Sequence, residues 1–148
     1  GVALVPDFRV ASPETRFAAN FAKLGIHPGF GLTVTLPRLV GEQKAALMFY
    51  TGRRVKGDEA VEWGLADVLV ESTDSIRTAA LELAKEIAES APLATTSVRA
   101  TLRTGLADEI AKATEHELRE QQWLRETEDA AEGIRSVAER RPGNFVAR

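Results

Sequence analysis

The sequence has no cysteine and only two histidines, His27 and His116. Disulfides, thiolate nucleophiles and Cys-based zinc sites are excluded, and two imidazoles far apart in the chain, with no partner at ligand spacing, give no metal set. Excess charge is also scarce: 19 Lys and Arg stand against 22 Asp and Glu, a formal net charge of -3. With no basic surplus to follow a phosphate backbone, nucleic acid is not an expected partner. Apolar runs break off within about ten residues, short of the ~20 that a membrane-spanning helix needs. The opening Gly1–Val5 has neither the basic flank nor the length of a signal peptide, so the expectation is a cytoplasmic protein with no membrane partner. No G-x-S-x-G elbow is present for a serine hydrolase. The cluster Gly25, Gly29, Gly31 lacks both G-x-G-x-x-G spacing and a following Lys-Ser/Thr, so it reads as tight turns and not as a phosphate cradle.

What is present is one domain's worth of chain. At 148 residues it is long enough to bury roughly 70% of its unfolded surface. It carries no internal repeat, no low-complexity tract and no linker long enough to divide it. It opens without Met on an apolar segment, which reads as the middle of a fold.

The first third is short elements punctuated by Gly and Pro. Val2–Val5, Phe8–Ala11 and Arg16–Asn20 read as strands, followed by the dense turn Gly25-Ile26-His27-Pro28-Gly29-Phe30-Gly31 and Leu32–Leu36. From Pro37 to Tyr50 the spacing predicts a helix ended by Gly52. Asp58–Trp63 reads as a short helix stopped by Gly64, and Asp67–Val70 as a strand. Asp74 or Ser75 is placed to cap a helix in which Ile76, Ala80, Leu83, Ala84, Ile87, Ala88 and Ala91 recur at helical spacing. Leu93–Arg103, ended by Gly105, is the next helix. Ala107–Arg125 is Glu-rich, with a narrow apolar stripe of Ile110, Ala111, Thr114 and Leu118 that suits a helix lying across a surface or a partner subunit. The acidic face from Glu109 to Glu128 reads as solvated. Thr127 begins a last helix through Arg140.

Four segments, in order, resemble the enoyl-CoA hydratase/isomerase (crotonase) superfamily. They are Asp7-Phe8-Arg9-Val10-Ala11-Ser12 with Arg16-Phe17; Lys23-Leu24-Gly25-Ile26 with Pro28-Gly29 and Leu36-Pro37-Arg38-Leu39-Val40-Gly41; Tyr50-Thr51-Gly52-Arg53-Arg54 with Glu59-Ala60 and Gly64-Leu65-Ala66-Asp67; and Ala91-Pro92-Leu93-Ala94 through Thr127-Glu128-Asp129 and Glu132-Gly133 to Glu139-Arg140-Arg141-Pro142 with Phe145. The likeness extends over essentially all 148 residues and covers the C-terminal half, or slightly more, of a typical family subunit.

The resemblance implies an α/β fold of the crotonase type: the last turns of a ββα spiral and the acyl-pocket loop over residues 1–70, then a helical oligomerisation region over 71–148. It implies an acyl-CoA thioester as substrate, coenzyme A as part of that substrate with no permanently bound cofactor, and homo-oligomers that are trimers or dimers of trimers. The common step is stabilisation of a thioester enolate by two backbone N–H groups, each worth about 3–4 kcal/mol. In the family those donors precede the residue matching Gly1, so a separate or preceding N-terminal half is expected to supply them.

The two glutamate positions of the hydratases fall on Gly1 and Phe21, and the acidic position of some isomerases and dehalogenases falls on Gly29. None of the three can move a proton. A non-catalytic CoA-binding or assembly subunit is therefore the rival reading. His27 stands as a base for another reaction or as a hydrogen-bonded turn residue. Phe21, Gly29 and Phe30 stand as substrate-binding candidates, the two aromatics equally as core packing. Arg140 matches a position where the family carries a basic residue reaching CoA phosphates, and also suits a helix's last turn.

Overall fold

The computed structural model describes residues 1–148. Helix dominates it: α1 (Leu32–Thr51), α2 (Gly57–Glu62), α3 (Ile76–Ala88), α4 (Pro92–Leu102), α5 (Leu106–Leu124) and α6 (Glu128–Ala138). Four short strands form two separate pairs. β1 (Val10–Ala11) runs parallel to β4 (Val68–Leu69), with Val10 opposite Val68, and β2 (Arg16–Ala18) runs antiparallel to β3 (Arg54–Lys56), with Phe17 opposite Val55. None of the helices is long and apolar enough to cross a membrane.

The core lies between α1 and these strands. Leu32, Leu36, Val40, Ala45 and Met48 from α1 meet Ala11, Ala19, Val55, Ala60, Leu65 and Ala66, all buried. Arg9 fastens β1 to the segment before β4: its Nε donates to the Leu65 carbonyl at 2.7 Å and its backbone N–H to Asp67 Oδ2 at 2.7 Å. Gly57 is required where α2 crosses β1, because a Cβ there would overlap the Ser12 carbonyl.

Several sequence expectations are corrected. Val2–Val5 is no strand; Val2–Leu4 is a 3-10 turn, with Leu4 N–H donating to the Gly1 carbonyl at 2.9 Å. A strand needs a neighbour's ladder, and here local i→i+3 bonds satisfy the backbone instead. The helix expected from Pro37 begins at Leu32 and breaks at Gly41, whose φ of 76° and ψ of 162° are not helical, leaving segments 32–40 and 42–51. Ser75 stands at the N-cap of α3 as expected, but neither its side chain nor that of Asp74 makes a capping hydrogen bond. Asp74 lies in the 3-10 turn Thr73–Ser75, and the Ser75 hydroxyl pairs with that of Ser72. The predicted stripe on α5 is also rotated: Ala111, Thr114 and Leu118 are exposed, and the inward positions are Ile110, Ala113, Glu117, Gln121 and Leu124. Gly52, Gly64 and Thr127 end or begin their helices as expected, the last with its hydroxyl accepting from the Ala130 N–H.

The accessible surface is 9825 Å². A folded monomer of 16.1 kDa is expected to expose about 7,400 Å², so roughly 2,400 Å² is in excess. Neither α3 nor α4 contains a buried residue, and Leu93, Leu102 and Tyr50 are among the most exposed apolar side chains.

Candidate functional site

The turn from Gly25 to Gly31 is shaped by left-handed residues. Gly25 (φ 68°) ends the 3-10 turn Ala22–Leu24, and Phe30 (φ 66°) and Gly31 (φ 65°) follow one another into α1. A non-glycine residue in this region costs roughly 1–2 kcal/mol, so Phe30 must be held there. Its ring stands outward, 60% exposed, and lies against Gly1: a Cβ on Gly1 would come within 2.8 Å of Phe30 Cβ and Cγ. Together they wall a cleft of about 580 Å³ whose other apolar sides come from Leu4, Leu39, Leu102, Leu106 and Ile110.

Asp7, Arg9, Arg38 and Arg103 are the charged residues of that cleft. Asp7 is engaged by Arg99 Nε at 2.8 Å and by Arg103 at 2.7 Å. The hydrogen bond from Arg99, joined by the nearby Arg103 charge, holds its carboxyl below the ordinary carboxylate range. Asp7 is the cleft's single carboxylate, and so restrained it is a poor proton donor near neutrality. The arrangement offers apolar and cationic contact without a proton-moving pair.

Beneath the turn lies Glu117, 1% exposed. One carboxylate oxygen accepts from the Gly31 N–H at 2.7 Å; the other accepts from the Thr33 N–H at 3.0 Å and the Thr33 hydroxyl at 2.6 Å. It thus caps the start of α1 from another helix. One turn further along α5, Gln121 Nε2 donates to the His27 carbonyl at 2.9 Å.

Of the residues singled out in the sequence, only Phe30 and Gly1 meet in the cleft. Gly29 faces α5, where a Cβ would come within 2.6 Å of Gln121 Nε2. Phe21 packs against the core cluster and does not line the cleft. His27 donates from Nδ1 to the Pro28 carbonyl at 2.8 Å, and its ring meets His116 edge-on, centroids 5.9 Å apart. Arg140 lies away from the cleft, just past α6, with φ 55°. The Arg141 N–H returns to the Ser136 carbonyl around it, the hydrogen-bonding of a Schellman ending. Arg140 makes no ion pair, whereas Arg141 binds Glu132 and Glu139. Hydrogen bonding from Arg141, then from the Asn144 N–H, depresses Glu132 to about 2.

Sequence reasoning missed Glu117, placing it on a solvated acidic face. The usable signal was its position at the centre of the stripe Ile110, Ala113, Gln121, Leu124, where a charged residue at helical spacing on an otherwise inward face asks for a partner.

A sequence profile described as enoyl-CoA hydratase/isomerase matches residues 1–148. The short-chain-enoyl-CoA hydratase of Clostridium acetobutylicum is 34% identical over 140 residues, covering 95% of this chain and 53% of that protein. The crotonyl-CoA hydratase of Syntrophomonas wolfei is 31% identical over 147 residues, covering 99% of this chain and 56% of that protein. The crystal structure of a carnitinyl-CoA hydratase from Mycobacterium avium superposes with a TM-score of 0.89 at 28% identity, over 99% of this chain and 57% of the other. The chain therefore spans about half the length of the curated relatives it matches, and its fold is a largely helical part of the crotonase architecture.

Proposed function

The chain belongs to the enoyl-CoA hydratase/isomerase family, and on that premise we propose that it forms the C-terminal half of a protein acting on acyl-CoA thioesters through enolate stabilisation. Residues 1–70 supply the acyl-pocket turn and residues 71–148 the helices that assemble subunits into trimers or dimers of trimers. The observation that carries this reading is the cleft walled by Phe30 and Gly1: apolar enough for an acyl chain, with Arg38 and Arg103 beside it for the polar part of a thioester. Exposed apolar side chains support a covering segment or subunit on the same side, since Val5, Phe30 and Leu102, all exposed, line the cleft.

Catalysis in this reading requires backbone donors from a preceding segment, because an oxyanion hole needs two N–H groups aimed at the thioester oxygen. In this reading Phe30 bounds the acyl chain, and Arg140, which lies just past α6 and makes no ion pair, would reach CoA phosphate in an assembled particle. The test is an assay of this chain alone and joined to its N-terminal half against crotonyl-CoA. Turnover is expected only for the joined protein; rates typical of hydratases from the chain alone would refute the division of labour.

A second reading rests on the resemblance, by which Gly1 and Phe21 fall where hydratases carry glutamates and Gly29 where some isomerases and dehalogenases carry an acid: a non-catalytic, CoA-binding assembly subunit. Calorimetric binding of several acyl-CoA thioesters with no product from any, in the joined protein, would select it.

A further inference from the structure

Glu117 is the most deeply buried charged side chain of the fold and pairs with no Lys or Arg. Burying a carboxylate without a cation is costly unless hydrogen bonds and a favourable dipole replace water. Here both do: three donors converge on it, and it sits at the positive end of α1. A local cap by Ser, Thr or Asp needs extended backbone at residue 31 and room for a Cβ. The chain instead places Gly31 there, in the left-handed region, and brings the cap from a residue 86 positions away.

What that geometry secures is the conformation of Phe30. The Gly31 N–H is fixed by Glu117, the Gly31 position is backed by Ile110, where a Cβ would meet the Ile110 methyl at 2.7 Å, and the His27 carbonyl is held by Gln121. Three contacts from one face of α5 thus bracket residues 27–33, and the strained Phe30 lies between them with its ring in the cleft. We propose that Glu117 is a positioning residue: by clamping Gly31 and Thr33 it holds Phe30 and Gly31 left-handed and so sets where the Phe30 ring bounds the acyl chain. The acyl part of this claim rests on the function proposed above; the clamp itself does not.

Two measurements separate them. Coenzyme A and hexanoyl-CoA are titrated calorimetrically against the protein carrying its N-terminal half, as wild type, Glu117→Gln and Glu117→Ala, and amide exchange is followed in each. Replacing one carboxylate oxygen by an NH2 group turns it from acceptor to donor against a buried N–H, so Glu117→Gln should speed exchange at Gly31 and Thr33 by on the order of tenfold. Affinity for hexanoyl-CoA should fall by about tenfold, while affinity for coenzyme A alone, which does not reach Phe30, should change less than about twofold. Equal loss for both ligands, or loss for neither, would overturn the positioning role, because a merely structural fastening has no reason to distinguish them. A wild type that fails to prefer hexanoyl-CoA over coenzyme A would instead overturn the acyl-cleft reading. Should Glu117→Ala not fold, the wild type still decides on the clamp: Gly31 and Thr33 amides exchanging as fast as unprotected loop amides would refute it.

Discussion

Gly133→Ala tests how α6 is seated under the turn. Gly133 faces the backbone of Leu24, and a Cβ there would lie 2.7 Å from the Leu24 carbonyl oxygen and 2.8 Å from its Cα. Both sides of the contact are main chain, so neither can swing away as a long side chain could. Overpacking of this kind costs about 1–3 kcal/mol, and the upper end applies where backbone meets backbone. Against this, alanine in a helix interior is favoured over glycine by about 1 kcal/mol. The net loss is then about 2 kcal/mol. For a chain of 148 residues, with an unfolding entropy of about 2.1 cal/mol/K per residue, that lowers Tm by about 6 °C. The assay is thermal unfolding followed by circular dichroism. Gly105→Ala serves as the comparison: Gly105 is left-handed (φ 80°) but has nothing within 4 Å of a Cβ, so its cost is conformational only, about 1 kcal/mol. A Gly133→Ala protein melting at or above wild type would refute the close-approach argument.

Asp67→Ala leaves Arg9, 8% exposed, without its carboxylate partner; because Asp67 is about a third exposed, the expected loss is about 2 kcal/mol and not the larger cost of a fully buried pair, measured by urea denaturation. Gly29→Asp displaces Gln121 from the His27 carbonyl and should cost about 1 kcal/mol, most of it absent when the same change is made in a Gln121→Ala background, a non-additivity that a double-mutant cycle reads directly. Glu132, depressed from 4.5 to about 2, contributes stability that is present above its unfolded value and lost as pH falls through about 2. The Asn144 amide it accepts should therefore stay protected at pH 4 and become labile toward pH 2, whereas Glu132→Gln should abolish that pH dependence.

Much of the architecture was legible because it is encoded locally. Gly52 and Gly64 end helices by adopting left-handed backbone, and Thr127 caps α6 through its own hydroxyl, each decided within four residues. The start of α1 was not legible. Pro37 signals a first turn when read alone, but the amides of Gly31 and Thr33 are satisfied by Glu117, which no local window contains. Val2–Val5 failed for the complementary reason: β-branched residues suit a strand only where another strand is available to pair. In the site, the composition of the turn was readable from its glycines and prolines. Only three dimensions separated Phe30, which stands in the cleft, from Phe21, which packs against the core, and revealed Gln121 over Gly29.

The attachment of α4 has a mechanical corollary. That helix buries none of its residues, and Asp7 ties it down through Arg99 and, at the bend into α5, through Arg103, which also donates to the Val5 carbonyl. Leu102 and Leu106, which flank the bend, form one bank of the cleft. That bank is thus moored by ionic contacts open to solvent and not by buried carbon, and such contacts weaken as counterions crowd in. Raising ionic strength should let the bank drift outward and widen the cleft, while the opposite bank, anchored through Leu36 and Leu32 in the interior, stays where it is.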